Sequence, residues 1–85
     1  MIRTCLLKPI HSKDHQKLCG LIRRLREEKK ITQTALADQL GVPQSFVSKV
    51  ETGERRLDVL ELRAVCAGLQ ISLKRFVQIL EEDLG

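Results

Sequence analysis

The stretch TQTALADQLGVPQSFVSKVETG, residues 32–53, decides the fold of this chain. Apolar residues recur at helical spacing on both sides of a central glycine: Leu36, Ala37 and Leu40 before it, Val47 and Val50 after it. Such spacing predicts two short helices that each bury one face. Gly41 lies between the two helices, where a tight turn requires a left-handed backbone. The small side chain of Ala37 lets the two helices cross closely.

The ends of these two helices are also marked in the sequence. Thr32 is placed to cap the helix predicted for residues 33–40, because its hydroxyl can accept a bond from a free N–H of the first turn. Pro43 is expected in the first turn of the next helix, residues 44–51, where its missing N–H costs little. Gly53 then ends that helix.

Helical periodicity continues on both sides of this stretch. The spacing i, i+3, i+4, i+7 predicts a first helix over about residues 14–30, with Ser12 or Lys13 near its start, and a fourth helix after Asp58 and Glu61, which resemble a capping box. The two stripes are Leu18, Leu21, Ile22 and Leu25, and Leu62, Val65, Cys66 and Leu69. No Asn-Gly or Asp-Gly hairpin signal is present.

A fifth helix is predicted after Ser72, which is placed to cap it. Its apolar side is long: Leu73, Phe76, Val77, Leu80 and Leu84. Because this stripe exceeds what a small core requires, the surplus is interpreted as a dimer surface. The sequence thus predicts an all-α, compact five-helix domain over residues 13–85, preceded by an extension over residues 1–12.

Composition and charge narrow the class of protein. The 85 residues carry a net charge of +4, which favours a polyanionic partner. Residues 1–30 hold nine Lys and Arg against three acidic residues, whereas residues 58–85 hold three against five. No apolar run is long enough to cross a membrane, the first residues lack a secretory signal, and the three cysteines cannot all pair within the chain. We therefore expect a cytoplasmic protein.

The motif L-R-x-x-x-x-x-T-Q-x-x-L-A-x-x-L-G-V from Leu25, followed by Q-S-x-V-S-K-V-E-T-G from Gln44, resembles the Xre family. These are helix-turn-helix regulators of the Cro and phage-repressor type, and the resemblance covers about residues 18–76. It implies a lambda-repressor-like DNA-binding domain whose helix-turn-helix occupies about residues 33–52. The helix that starts near Gln44 would lie in a major groove.

The resemblance also assigns site residues. The base-reading positions are Gln44, Ser45, Ser48 and Lys49. A Gln amide can pair with adenine, Lys can donate to guanine, and Ser can donate or accept with any base. The DNA backbone would be contacted by Gln33, Thr32, Phe46, Thr52, Arg55 and Arg56. Arg26 and Glu51 match a pair that ties the first helix to the recognition helix as a structural ion pair. The chain departs from the family at Gln70, where relatives often have glycine, and in its N-terminal extension.

Three features remain open to a second interpretation. Basic residues of the first helix, Arg23, Arg24, Lys29 and Lys30, either face DNA or form an ordinary solvated surface. His11, His15 and Cys19 are spaced by four as metal ligands would be, although a core role for Cys19 is favoured. Phe46 either contacts DNA or packs inside.

No nucleophile-and-base pair points to an enzyme, and no metal or cofactor is expected.

The function expected is that of a dimeric repressor that reads a partly palindromic operator in double-stranded DNA. The alternative is an antitoxin or other protein-interaction module, with a toxin-like partner and DNA binding secondary. The apolar patch of Cys5, Leu6 and Leu7 and the long stripe of the last helix keep this alternative open.

Overall fold

A computed structural model describes residues 12–85, and over this span the chain forms five α-helices and no strand. The helices are α1 (Lys13–Glu28), α2 (Gln33–Leu40), α3 (Gln44–Thr52), α4 (Val59–Gly68) and α5 (Leu73–Leu84). The prediction of an all-α five-helix domain is confirmed. The predictions for Cys5, Leu6, Leu7 and His11 lie outside the described residues.

Helix starts follow the capping residues that the sequence marks. The side chains of Ser12, Thr32 and Ser72 each accept a bond from the backbone N–H three residues later, at the starts of α1, α2 and α5. At α4 the box is complete, because Asp58 accepts from the Glu61 N–H while the Glu61 carboxylate accepts from the Asp58 N–H. These bonds satisfy N–H groups that the helices leave free.

The helix ends differ from expectation in two places. Pro43 is the N-cap of α3, with an extended backbone, and so precedes the first turn instead of lying in it. Helix α1 ends at Glu28, because Lys30 adopts a positive φ of 58° and breaks the helical course before residue 30. Gly41 and Gly53 end α2 and α3 in the left-handed conformation, as expected.

The core lies between all five helices. Its buried apolar residues include Ile22 of α1, Leu36 of α2, Val47 of α3, Cys66 of α4 and Phe76 of α5. Helices α2 and α4 come very close at one glycine: a Cβ on Gly68 would lie 2.6 Å from Cδ1 of Leu36. Burial raises the pKa of the Cys66 thiol to about 11, so this thiol stays protonated and inert at neutral pH.

The apolar stripe of α5 is largely used inside the molecule. Phe76 is fully buried, and Leu80 is partly buried against the core. Within the α5 stripe, Val77 is an exposed large apolar side chain, at 39%. Val59 and Leu60 at the start of α4 are more exposed, at 67% and 77%. Among the described residues, the apolar surface left uncovered therefore lies mainly on α4 and not, as the sequence suggested, on α5.

Replacing Gln70 by glycine should stabilise the fold by about 0.5–1 kcal/mol. Gln70 has a positive φ of 62° between α4 and α5. This conformation strains any residue with a Cβ by about 1–2 kcal/mol, and glycine would remove that strain. Because glycine is also more flexible in the unfolded chain, ordering it costs more entropy, which offsets part of the stabilisation. Urea unfolding of Gln70→Gly and Gln70→Ala measures the effect. Alanine keeps the strain, so equal stabilisation by both variants would contradict the explanation.

Candidate nucleic-acid interface

The N-termini of α2 and α3 lie side by side because their first residues contact each other. Nε2 of Gln44 donates to Oε1 of Gln33 over 2.6 Å. The first turn of each helix has backbone N–H groups without a helical partner, and the helix dipole makes that end positive. Two such ends set next to each other form a surface suited to the oxygen atoms of a phosphate backbone.

The packing of α3 gives it one inner and one outer face. Val47 and Val50 are buried against the core. The outer face carries the predicted base-reading residues, of which Gln44, Ser45 and Lys49 are exposed and Ser48 is half-buried. We call this set the reading face. The structure brings its four members together on one side of a single helix, next to the N-terminus of α2.

Behind the reading face, Arg26 of α1 binds the Glu51 carboxylate with two nitrogens, Nε at 2.6 Å and Nη2 at 3.0 Å. The side chains are 10% and 3% exposed, so solvent scarcely reaches the pair. The bond to Glu51 raises the pKa of the Arg26 guanidinium above its already high ordinary value. Nη1 of Arg26 also donates to the carbonyl of Ile31, which fixes the guanidinium plane.

The ion pair continues into the reading face through side-chain amides. Oε1 of Glu51 accepts a second bond, from Nε2 of Gln33 over 2.9 Å. A chain of hydrogen bonds therefore runs from Arg26 through Glu51 and Gln33 to Gln44. It fixes the Gln33 amide so that its oxygen faces Gln44, and it links a buried salt bridge to the first residue of α3.

The residues expected on the DNA backbone are spread around this surface. Thr32 caps α2, and Thr52 donates its hydroxyl to the Lys49 carbonyl at the end of α3. Phe46 is half-buried against the core. Arg56 is exposed in the segment after α3.

Arg55 has a role that sequence reasoning missed. Its guanidinium lies over the Phe46 ring, 4.7 Å from the ring centroid, and Nη2 donates to Oε2 of Glu61 over 2.9 Å. The bond to Arg55, aided by the Asp58 N–H, holds the pKa of the Glu61 carboxyl below its ordinary value. Because Glu61 also caps α4, Arg55 connects the start of α4 to Phe46 of α3. The sequence pattern gave no signal for this contact.

The basic residues of α1 are partly engaged within the chain. Arg23 pairs with Glu27, Arg24 lies within 4 Å of both Glu28 and Asp83, and Lys29 donates to the Gln70 carbonyl. Such exposed pairs contribute little to stability, so their main effect is on the local charge. Within residues 12–85 no group of three His, Cys, Asp or Glu side chains is placed to hold a metal ion, and no helix is long and apolar enough to span a membrane.

Residues 22–76, most of the chain, match the family model described as Helix-turn-helix. The chain belongs to this family. An XRE-family like protein from Pseudomonas syringae pv. tomato is 42% identical with a TM-score of 0.80, over 89% of this chain and 93% of its own. Together these matches confirm the resemblance to Xre-type helix-turn-helix transcription regulators.

Two further similar proteins are described as control or controller proteins. Control protein C.MunI of Mycoplasma is 29% identical over 63 residues, 73% of this chain and 85% of its own length. The restriction-modification controller protein C.Esp1396I is 27% identical with a TM-score of 0.80, over 87% of this chain and 97% of its own. It has been crystallised on a 19 base-pair duplex and as a tetramer on its natural 35 base-pair operator.

Proposed function

We propose that this regulator binds a partly palindromic operator as a homodimer and represses the promoter that it covers. It acts in the cytoplasm, by occupying DNA and not by catalysis. The observation that carries the proposal is the contact between Gln33 and Gln44, because it sets two helix N-termini and the reading face on one surface. The operator complex of the relative C.Esp1396I supports the same mode of action.

The roles within the interface follow from the side-chain chemistry. Gln44 presents an amide that can bind both N6 and N7 of adenine, and Lys49 donates to the acceptors of guanine in the major groove. Gln33 and the N–H groups of the α2 N-terminus bind a phosphate oxygen, which sets the register of the reading face. Ser45 and Ser48 bind as donors or acceptors and discriminate less between bases.

Selection from a random DNA pool tests this function. We expect enrichment of a two-fold symmetric site whose half-sites are centred roughly 34 Å apart, one turn of the duplex. Titrating the selected site at several salt concentrations then counts phosphate contacts, since log K falls by about 0.9 per contact for each tenfold rise in salt. Binding that is weak and equal for all sequences would contradict the proposal and favour the protein-interaction alternative.

The second copy docks, in this proposal, on the outer face of α4. Leu60, Ala64 and Ala67 follow one another at i, i+4 and i+7 and are all exposed. Small side chains at two of these positions leave shallow grooves on either side, one reaching Gln39 and Leu40, the other reaching the start of α5. Two small side chains next to one exposed leucine let a partner helix approach α4 closely.

Replacing Leu60 by glutamate should convert the dimer into a monomer at micromolar concentration while leaving the fold intact. The side chain is 77% exposed, so the charge costs nothing in the monomer but would be desolvated between two copies. Sedimentation equilibrium measures the change, and operator affinity should fall with it. Gln78→Glu on the exposed side of α5 is the matched control. Equal self-association of Leu60→Glu and the parent chain would place the interface elsewhere.

A further inference from the structure

The side chain of His15 reaches from the first turn of α1 to the end of the recognition helix. Its Nε2 lies 3.1 Å from the carbonyl oxygen of Gly53, the residue that ends α3. His15 is only 8% exposed, and Gly53 is also buried. The imidazole packs close to Gly53, since a Cβ added to Gly53 would lie 3.7 Å from both Cδ2 and Nε2 of His15.

The chemistry of the two groups fixes the direction of this bond. A carbonyl oxygen accepts only, so Nε2 of His15 carries the proton and donates. The same nitrogen lies 3.6 Å from Sγ of Cys19, one turn further along α1. Burial raises the pKa of that thiol, which keeps it a neutral neighbour and not a charged partner. The buried carbonyl of Gly53 thus receives its bond from a different helix.

The backbone around Gly53 forms the turn that ends α3. After Gly53 the chain turns back, and the N–H groups of Glu54 and Arg55 both donate to the carbonyl of Lys49, at 2.9 and 3.1 Å. Lys49 belongs to the reading face, and Arg55 lies over Phe46. Displacing the Gly53 carbonyl would therefore shift the turn that closes on Lys49 and carries Arg55.

Helix α1 holds α3 at two points. Arg26 in its last turn binds Glu51, and His15 in its first turn binds Gly53, so the two anchors lie about 16 Å apart along the α1 axis. The two bonds meet α3 close together, at Glu51 and at Gly53, the residue that ends the helix. Burial of Val47 and Val50 holds the middle of α3 against the core, and these bonds hold its C-terminal end.

We propose that His15 is a positioning residue for DNA recognition, which holds the C-terminal end of the recognition helix and the turn after it in place through its bond to the Gly53 carbonyl. The role rests on the proposed function, because it acts only on how α3 enters the groove. His15 does not contact DNA in this proposal. It acts through Gly53 on Lys49 and on the segment that carries Arg55.

The test compares His15→Leu, which removes the donor, with His15→Gln, whose amide nitrogen can donate at a similar reach. We expect His15→Leu to bind the selected operator about 3–10-fold more weakly, the loss that one hydrogen bond represents, while random DNA is bound as before. His15→Gln should recover most of that loss. Cys66→Ala is the stability control, since it removes a fully buried side chain of α4, which packs on α2 and α5, and leaves the bond between His15 and Gly53 in place.

All binding is measured well below the unfolding midpoint of each variant. A His15→Leu protein that melts earlier, yet binds operator as the parent does, would show that the bond serves stability alone and would overturn the proposal. Parent protein that selects no operator would instead reject the proposed function. The two failures are therefore distinguishable.

A measurement on the unmodified protein covers the case in which His15→Leu does not fold. Two-bond ¹H–¹⁵N correlation spectra report which ring nitrogen carries the proton. We expect these spectra to show a proton on Nε2 of His15, together with slow hydrogen exchange at the Glu54 and Arg55 amides. A ring that carries its proton on Nδ1 alone could not donate from Nε2 to Gly53 and would reject the proposal directly.

Discussion

Replacing Arg26 by methionine should destabilise the domain by about 3–5 kcal/mol, the usual cost of leaving one partner of a buried ion pair without the other. The Glu51 side chain is 3% exposed and would remain as an uncompensated charge inside the protein. The carbonyl of Ile31 would lose its donor as well. A small domain has roughly 5–15 kcal/mol of stability, so this single change brings it close to unfolding.

A double variant separates charge burial from the pair itself. Arg26→Met combined with Glu51→Leu removes both charges and should recover to within about 1–2 kcal/mol of the parent, because an apolar pair of similar volume avoids the desolvation cost. Urea unfolding of the two single variants and the double variant measures this. Equal destabilisation by the double and single variants would mean that the pair stabilises the fold by itself.

The same double variant should still bind operator poorly. Glu51 also accepts the bond from Gln33, so its loss leaves the Gln33 amide free to turn away from Gln44. Stability and DNA affinity should therefore respond differently, which indicates that the ion pair is retained for the geometry of the interface more than for the fold.

Local chemistry explains how much of this molecule the sequence could predict. Helix starts at Thr32, Asp58 and Ser72 were readable because a cap depends on residues three positions apart. The pairing of Arg26 with Glu51 was available from the family resemblance, since the two residues are 25 positions apart and no local pattern connects them.

The contacts that were missed are of two kinds. His15 to Gly53 spans 38 positions and joins a side chain to a backbone carbonyl, whose direction no sequence pattern encodes. Arg55 to Glu61 spans only six positions, but it depends on the course of an irregular segment between α3 and α4. The excess of apolar residues on α5 was real in the sequence, yet the tertiary packing used most of it and left α4 uncovered instead.

Replacing Gln44 by alanine should weaken binding to the selected operator by about 10–100-fold and weaken binding to random DNA much less. Loss of one bidentate contact to a base is worth about 1–3 kcal/mol of discrimination, whereas contacts to the backbone carry no sequence information. Fluorescence anisotropy with the two DNAs at fixed salt measures both values. Gln78→Ala, an exposed change on α5, is the matched control. An equal loss on both DNAs would place Gln44 on the backbone.

The contact between Gln44 and Gln33 makes a stronger prediction when both are changed. Because the two amides share a hydrogen bond of 2.6 Å, each single variant also releases the other side chain from its bound orientation. The losses should therefore not add: Gln33→Ala combined with Gln44→Ala should cost less affinity than the two separate losses together, by at least about 0.5 kcal/mol. Gln33→Ala alone should weaken binding to both DNAs, since a phosphate contact is independent of sequence. Strict additivity would mean that the two glutamines meet the DNA independently, and that their contact in the free protein does not shape the complex.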